Sequence, residues 1–433
     1  MSAIDKSQYE EIVIESADGE RTVDISAGAI AIDYYEDVLS PTITCKITVV
    51  NTGNVIEGAD GKLTSIYNGL PLRGGERVSL KVKGNCNHNP GLDFLDNPLI
   101  VGSITNVLSS TEFETFTLNL VSREAITNET ARVPKRYPSS LKISESVKKI
   151  IEEYLQTNKK LFIDETQNKY AFMGNLRKPF TILTWLASKS VPVSKSNDAT
   201  AGFFFFETQR GYNYNSIDGL ISSDVFPEKY VYSEVRVDKA PDEDFKILKY
   251  TTNRNQNLLE SLQRGAFCSN RTFFNPLDFS YTNPQKGLFK LADYKGKAET
   301  MGKEIVLPKI SDNSGKTLGD LPTRNITGVL DIGTLERGVS IDKNADPAKI
   351  QSQSMMRYNT IFTQTVSMTV ASNTALHAGD VIECQFPRID ITEKKTTDSE
   401  QTGLYMIKEL CHHFDSTGSY TALVLIKDTF GQK

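Results

Sequence analysis

The sequence is poor in the residues on which much enzyme chemistry depends. It has 4 His and 1 Trp in 433 residues, so the commonest general base has few places to sit. GxSxG, HExxH and GxxxxGK[ST] are all missing, which removes the nucleophile-elbow, zincin and P-loop readings. Cysteine is sparse too: Cys45, Cys86, Cys268, Cys384 and Cys411 are odd in number, scattered, and contain no CxxC pair. That excludes a disulfide framework and fits reduced thiols in a chain made in a cytosol. Charge of one sign is lacking as well, with 49 basic against 54 acidic residues for a net -5. A specific nucleic-acid binder needs a basic excess that this balance does not supply. The longest apolar runs, Phe203 to Phe206 and Ala422 to Ile426, are too short to cross a bilayer. The first residues, Met1 to Ser7, hold no apolar core of the signal-peptide kind. Gly and Pro together are about 10% of the chain, which excludes collagen-like and low-complexity classes.

What is present is patterned. Residues 1–125 alternate as β-structure: Thr42 to Val50 is rich in β-branched residues, and Val78, Leu80 and Val82 alternate with polar neighbours, as do Phe116, Leu118 and Leu120. An antiparallel barrel or sandwich is the expected outcome. Near residue 144 the period changes. Ser144 is expected to cap a helix whose stripe is Val147, Ile150, Ile151, Tyr154 and Leu155. A second helix is expected to start at Pro179, bury Ile182, Leu183 and Leu186, and stop before Val191-Pro192. Phe203 to Phe206 reads as a buried strand and Ser216 to Ile221 as a short helical turn, so 126–240 reads as an α/β insertion. Residues 253–359 offer one short helix at Leu258, Leu259 and Leu262 ending at Gly265, and otherwise a loop-rich extension that packs on something else. Residues 241–252 and 360–433 return to β-patterning.

The two ends of the chain can be laid on each other. Gly75-Glu76 to Val82 matches Gly379-Asp380 to Phe386 at an offset of 304, and Phe116-Thr117 falls on Tyr420-Thr421 at the same offset. Pro98 to Val107 and Leu404 to His413 supply the strand between. Any two antiparallel meanders share such features; if this match is real, one subunit carries two copies of a barrel.

No constellation commits to catalysis. His412 and His413 are adjacent in an expected strand and point to opposite faces, and the 54 acids permit countless carboxylate pairs without specifying one. Cys384 with Cys411-His412-His413 has donor atoms but apolar-patterned positions, so buried structural cysteines are expected there. Arg73-Gly74-Gly75 before Glu76 reads as a turn, not a phosphate loop. Local charge is uneven: residues 1–70 carry -8 and residues 131–160 carry +5, with Lys148, Lys149, Glu152 and Glu153 expected on a solvated helix face.

Several segments, in order, resemble the central baseplate hub proteins of contractile-tailed bacteriophages, whose fold is shared by the base of the VgrG spike. They are Tyr34-Tyr35-Glu36-Asp37-Val38-Leu39-Ser40-Pro41, Gly69 to Glu76, Leu118 to Ile126, Lys178-Pro179-Phe180 with Trp185-Leu186-Ala187, Gly202 to Glu207 with Gly211-Tyr212 and Ser216-Ile217-Asp218, Ala378 to Ile382, and Gly403 to Ile407. The resemblance implies a mainly β, α+β fold of two similar tail-tube-like antiparallel β-barrels, with an α/β insertion and a loop-rich extension. It implies a homotrimeric structural virion protein in the tail baseplate, assembled in the host bacterial cytoplasm. Six barrels would form a quasi-sixfold ring between the tail tube protein above and a spike protein below, which in this family can carry a lysozyme domain. Surrounding baseplate proteins would be further partners, and genomic DNA would pass through the lumen without specific binding. A threefold ring presents sixfold contacts only if each chain supplies the same surface twice. Tyr35, Glu36, Pro41, Arg73, Gly75 and Glu76 are the expected interface residues, and no catalytic, cofactor or metal residue is implied. The 1–70 acids alternate outward from barrel strands, where such residues keep a barrel soluble; in a ring they would instead line the channel and repel a polyanion in transit. The alternatives are a cell-wall-degrading carbohydrate-active enzyme with β-sandwich modules, or a receptor-binding tail component that holds sugars through exposed aromatics.

Overall fold

The computed structural model describes residues 2–51, 56–57, 63–70, 72–110, 112–193, 199–232, 243–254, 257–276, 278–281, 287–294, 298–310, 315–331, 347–388 and 397–432. Two six-stranded sets dominate it. The first comprises β1 (Gln8–Glu15), β2 (Ala29–Asp37), β3 (Thr44–Asn51), β4 (Arg77–Cys86), β5 (Leu99–Ser109) and β6 (Glu114–Val121). The second comprises β7 (Val225–Tyr232), β8 (Lys246–Arg254), β9 (Gln364–Ala371), β10 (Val381–Gln385), β11 (Gly403–Asp415) and β12 (Ser419–Lys427). Spatial order in the first set is β1-β4-β5-β6-β3-β2 and in the second β7-β10-β11-β12-β9-β8. The sixth strand differs in sense: β1 runs antiparallel to β4, whereas β7 runs parallel to both β8 and β10 and closes the second barrel. No described ladder joins β1 to β2, so the first barrel is open there. The β2 edge instead pairs with β11, from Ala31↔Asp415 to Asp37↔Glu409. An unpaired strand edge is costly, and the second barrel satisfies this one.

The internal match holds at atomic detail. Gly75 N donates to Val101 O (2.8 Å) and Val101 N to Glu76 O (2.9 Å); Gly379 N donates to Ile407 O (2.8 Å) and Ile407 N to Asp380 O (2.9 Å). The acid closes each turn by accepting the amide three residues back, Arg73 N to Glu76 Oε1 at 2.6 Å and His377 N to Asp380 Oδ2 at 3.0 Å. Register then repeats, with Arg77↔Ile100 and Val78↔Leu99 matching Val381↔Met406 and Ile382↔Tyr405. Each following strand bulges at the same place, skipping Gly102 in β5 and Lys408 in β11. Past the bulge, Asn119↔Ser103 answers to Val424↔Glu409, so the third strands align at an offset of 305. The expected pairing of Phe116 with Tyr420 is therefore one residue off. Buried Phe116 corresponds to buried Thr421, because a one-residue slip moves every side chain to the other face.

Both turn glycines sit in the left-handed region, at φ +98° for Gly75 and +90° for Gly379. A Cβ at Gly379 would lie 2.9 Å from Phe206 Cζ, whereas at Gly75 it meets nothing within 4 Å. Gly75→Ala is expected to cost backbone strain alone, about 1–2 kcal/mol. Gly379→Ala adds displacement of Phe206, for about 2–5 kcal/mol in total. Urea unfolding of the two variants checks this; equal losses would remove Phe206 from the account.

Between the sets lies a second core. The helix Ile143–Ile150 continues as a π-turn over Ile151–Leu155, burying Val147, Ile150, Ile151 and Leu155. Its cap is Lys142, not Ser144: Glu145 accepts the Lys142 amide, while Ser144 and Thr166 exchange hydrogen bonds. The second helix is Pro179–Ala187, packed on the wholly buried strand Phe203–Thr208, and Ser216 caps Ile217–Ile221. The 240/241 boundary falls outside the described residues. Residues 253–359 hold more regular structure than their composition announces. Beyond the helix Leu258–Arg264 there is a sheet of Cys268–Asn275, Ser280–Tyr281, Leu288–Lys290 and Arg324–Val329, then a 14-residue helix, Pro347–Thr360. Leu259, Phe279, Val306 and Val329 remain 67–87% exposed across this stretch.

Candidate functional site

The distinctive polar chemistry of the chain lies at seams between its parts. Alternation along β2 turns Ile32, Tyr34 and Glu36 inward together, which places a carboxylate in a core. Glu36 is 1% exposed. Its Oε1 accepts from Tyr34 Oη (2.8 Å) and Gln209 N (2.7 Å) and lies 3.1 Å from His377 Nδ1, while Oε2 accepts from Ala378 N at 2.9 Å. Burial pushes this carboxyl up, but the His377 ring and the two amides outweigh it, and the net shift is downward. One side chain thus joins the first barrel, the 209–210 turn and the glycine–acid turn of the second barrel.

A second knot lies beside it. Lys159 Nζ bridges Glu207 Oε1 (2.5 Å) and Glu124 Oε2 (2.8 Å), and Glu207 Oε2 accepts from Ile43 N at 3.1 Å. Burial alone would lower the Lys159 ammonium, yet the two carboxylates raise it; burial raises Glu207, which shares its lysine with Glu124. A third knot sets Arg357 between Asp218 (2.7 Å) and Asp428 (3.7 Å), tying the helix Pro347–Thr360 to the end of β12.

The expected interface residues divide. Arg73 and Gly75 are exposed and Tyr35 and Pro41 half-buried, whereas the Glu36 and Glu76 carboxylates are spent on hydrogen bonds within the chain. Tyr35 has Lys46 Nζ 5.5 Å from its ring centre. His412 and His413 do face opposite ways: His412 is buried, 3.0 Å from Thr421 Oγ1, and His413 stacks on Tyr420 beside Asp33. Cys384 stands opposite Gly403 and Cys411 opposite Ala422, so these donors do not converge. Trp185 is half-buried, packing against Tyr170 and Phe172. An open cleft of about 520 Å³ between Glu10, Lys81, Arg210, Thr374 and His377 is charged, but Lys81 pairs with Glu10 and Arg210 with Asp380.

One cluster escaped the sequence reading. Cys86, His88 and Asp244 bring their donor atoms within 4.8 Å of one another. The Cys-x-His spacing was visible; the aspartate, far along the chain, was not.

No family model matches the sequence, and no curated protein matches it either. Solved structures do. A tail protein from Neisseria meningitidis MC58 superposes with a TM-score of 0.54 at 12% identity, covering 96% of each chain. The 43 kDa tail protein of prophage MuSo2 from Shewanella oneidensis superposes at 0.53 and 10% identity, covering 97% of this chain and 100% of its own. Over almost its whole length, this chain has the fold of these two tail proteins.

Proposed function

We propose that the chain is a structural component of a phage tail, and specifically a baseplate hub that assembles as a homotrimer. Six barrels, two from each chain, would form a ring between the tail tube and the central spike. The observation that carries this reading is the in-register repeat of the glycine–acid turn, strand and bulge in one chain. Such a repeat is what a threefold assembly needs to offer sixfold contacts. The two tail proteins of the same fold point the same way. Within this reading residues 1–125 form the first barrel, 126–240 the insertion, 241–252 with 360–433 the second barrel, and 253–359 an extension whose exposed apolar side chains meet neighbouring baseplate proteins or the spike. The 1–70 acids would face a lumen through which DNA passes, in a tail assembled in the host cytoplasm. No catalytic step is part of the role.

The repeat also nominates a contact. In the second barrel, residues 409–415 of β11 are covered by β2, and Phe414 is fully buried. The equivalent half of β5, residues 103–109, has no described strand on that side; an extra bulge between Thr105 and Leu108 sets Leu108 against His413 and Ser109 against Phe414, and Leu108 is 66% exposed. A second barrel from the neighbouring copy would add to this edge, and Tyr35, Pro41, Arg73 and Gly75, which are exposed or half-buried, are further contact candidates. Leu108→Lys is expected to leave folding intact and to reduce the light-scattering mass of the assembly to that of the monomer. A variant as associated as the wild type would remove this edge from the interface.

A further inference from the structure

Cys86 and His88 lie at the tip of the hairpin joining β4 to Asn89–Asp93, in the first barrel, whereas Asp244 lies just before β8, in the second. The turn is anchored: Asn85 Nδ2 donates to Ala3 O (3.0 Å) and Asp5 O (2.6 Å), and Asp244 Oδ1 accepts from Ser2 Oγ and Ala3 N, both at 2.8 Å. Those bonds leave Oδ2 of the 5%-exposed Asp244 region aimed at the imidazole, whose far face rests on the Phe245 ring at 5.2 Å.

The geometry around the ring is unusual in one respect. Cys86 Sγ and Asp244 Oδ2 both approach the same nitrogen, His88 Nε2, each at 3.2 Å. A neutral imidazole nitrogen either donates or accepts, so it cannot serve a thiol donor and a carboxylate acceptor at once. A Cys–His–Asp nucleophile is excluded by the same fact, since its acid must hold the other ring nitrogen. A cation between the three atoms satisfies all of them. Donors bound tetrahedrally at about 2.0–2.3 Å from zinc stand about 3.3–3.6 Å apart, close to the 3.2 Å of the two pairs at Nε2, and all three atoms lie within 4.8 Å of one another.

We propose that Cys86, His88 and Asp244 form a zinc site, with thiolate, imidazole and carboxylate as three ligands and water as the fourth. The ligand set is mixed soft and hard, which suits Zn²⁺ over Ca²⁺ or Mg²⁺. Without the ion, burial and the nearby Asp244 charge hold the Cys86 thiol up; Zn²⁺ replaces the Sγ proton, which leaves to solvent. The ion would staple a hairpin of the first barrel to a strand of the second and fix their relative setting in the assembly.

The test uses the full chain, stripped of metal and titrated with Co²⁺ and then Zn²⁺. One equivalent of Co²⁺ should produce a thiolate-to-cobalt charge-transfer band with the visible bands of a four-coordinate ion, and Zn²⁺ should erase both. Cys86→Ser should abolish the charge-transfer band, and His88→Ala should weaken Co²⁺ binding more than about 100-fold, beyond what partners outside a coordination sphere contribute. Cys411→Ser should change neither. Absence of the band in the wild-type chain at one equivalent, or its survival in Cys86→Ser, would overturn the site. The wild-type titration decides even if a variant fails to fold.

Discussion

Lys159→Met is expected to destabilise the protein by about 3–5 kcal/mol, because it strips the cation from two buried carboxylates. Glu124 and Glu207 are 1% and 0% exposed, and Lys159 Nζ stands 2.8 and 2.5 Å from them. Removing this cation leaves Glu207 with no ion-pair partner among the described residues and Glu124 with only the half-exposed Arg123 at 3.3 Å, like charges where water screens poorly. The natural comparison is Lys148–Glu152, a 3.8 Å pair on the solvated helix face with side chains 61% and 54% exposed. Its loss should cost about 1 kcal/mol or less. Chemical denaturation measures both, and a double variant Lys159→Met/Glu207→Gln should recover part of the loss through a coupling term. If Lys159→Met cost no more than the surface pair, the bridge between the first barrel and the insertion would have no energetic role.

Glu36→Gln should be nearly as damaging, about 3 kcal/mol, although it conserves shape. Every group that faces the carboxylate is a donor: Tyr34 Oη, the Gln209 and Ala378 amides, and the His377 ring. A glutamine must turn its NH₂ toward one of them and leave two donors opposed. The pH dependence carries a separate signature. The folded-state pKa is below the ordinary glutamate value, so the folded carboxylate holds its proton less tightly than the unfolded one. Its stabilisation is complete above about pH 4.3 and is lost as pH falls through the lower folded value. Unfolding curves at stepped acid pH should show this loss in the wild type and a flatter response in Glu36→Gln. Identical slopes would mean that Glu36 is not held by its donors.

How much of this was legible in the sequence differs by element. The helices at Ile143 and Pro179 were readable because their apolar stripes are local, and the glycine–acid turn because a positive φ favours glycine and the amide three residues back needs an acceptor. The Ser144 cap was misplaced because a serine near a helix start can also bond across to Thr166. The third-strand offset failed by one residue because β5 carries a second bulge, between Thr105 and Leu108, that β11 lacks, and an extra residue in a strand changes the count without altering the pattern. Residues 268–275 gave no strand signal: the run holds Ser269, Asn270, Arg271 and Thr272, and its parallel partner Arg324–Val329 is remote in the chain. Arg271 is nonetheless 1% exposed. Glu36 was findable, since it shares parity with Ile32 and Tyr34. Asp244 beside His88 was not, because only the folded barrels bring them together.

On the proposed reading, the two barrels of one chain serve to complete a ring. Light scattering of the purified protein tests it most directly, alone and mixed with the tube and spike proteins of the same tail. The account predicts a discrete species at about three times the 48.2 kDa chain mass, which binds both partners. A clean monomer at working concentration, unchanged by either partner, would contradict it.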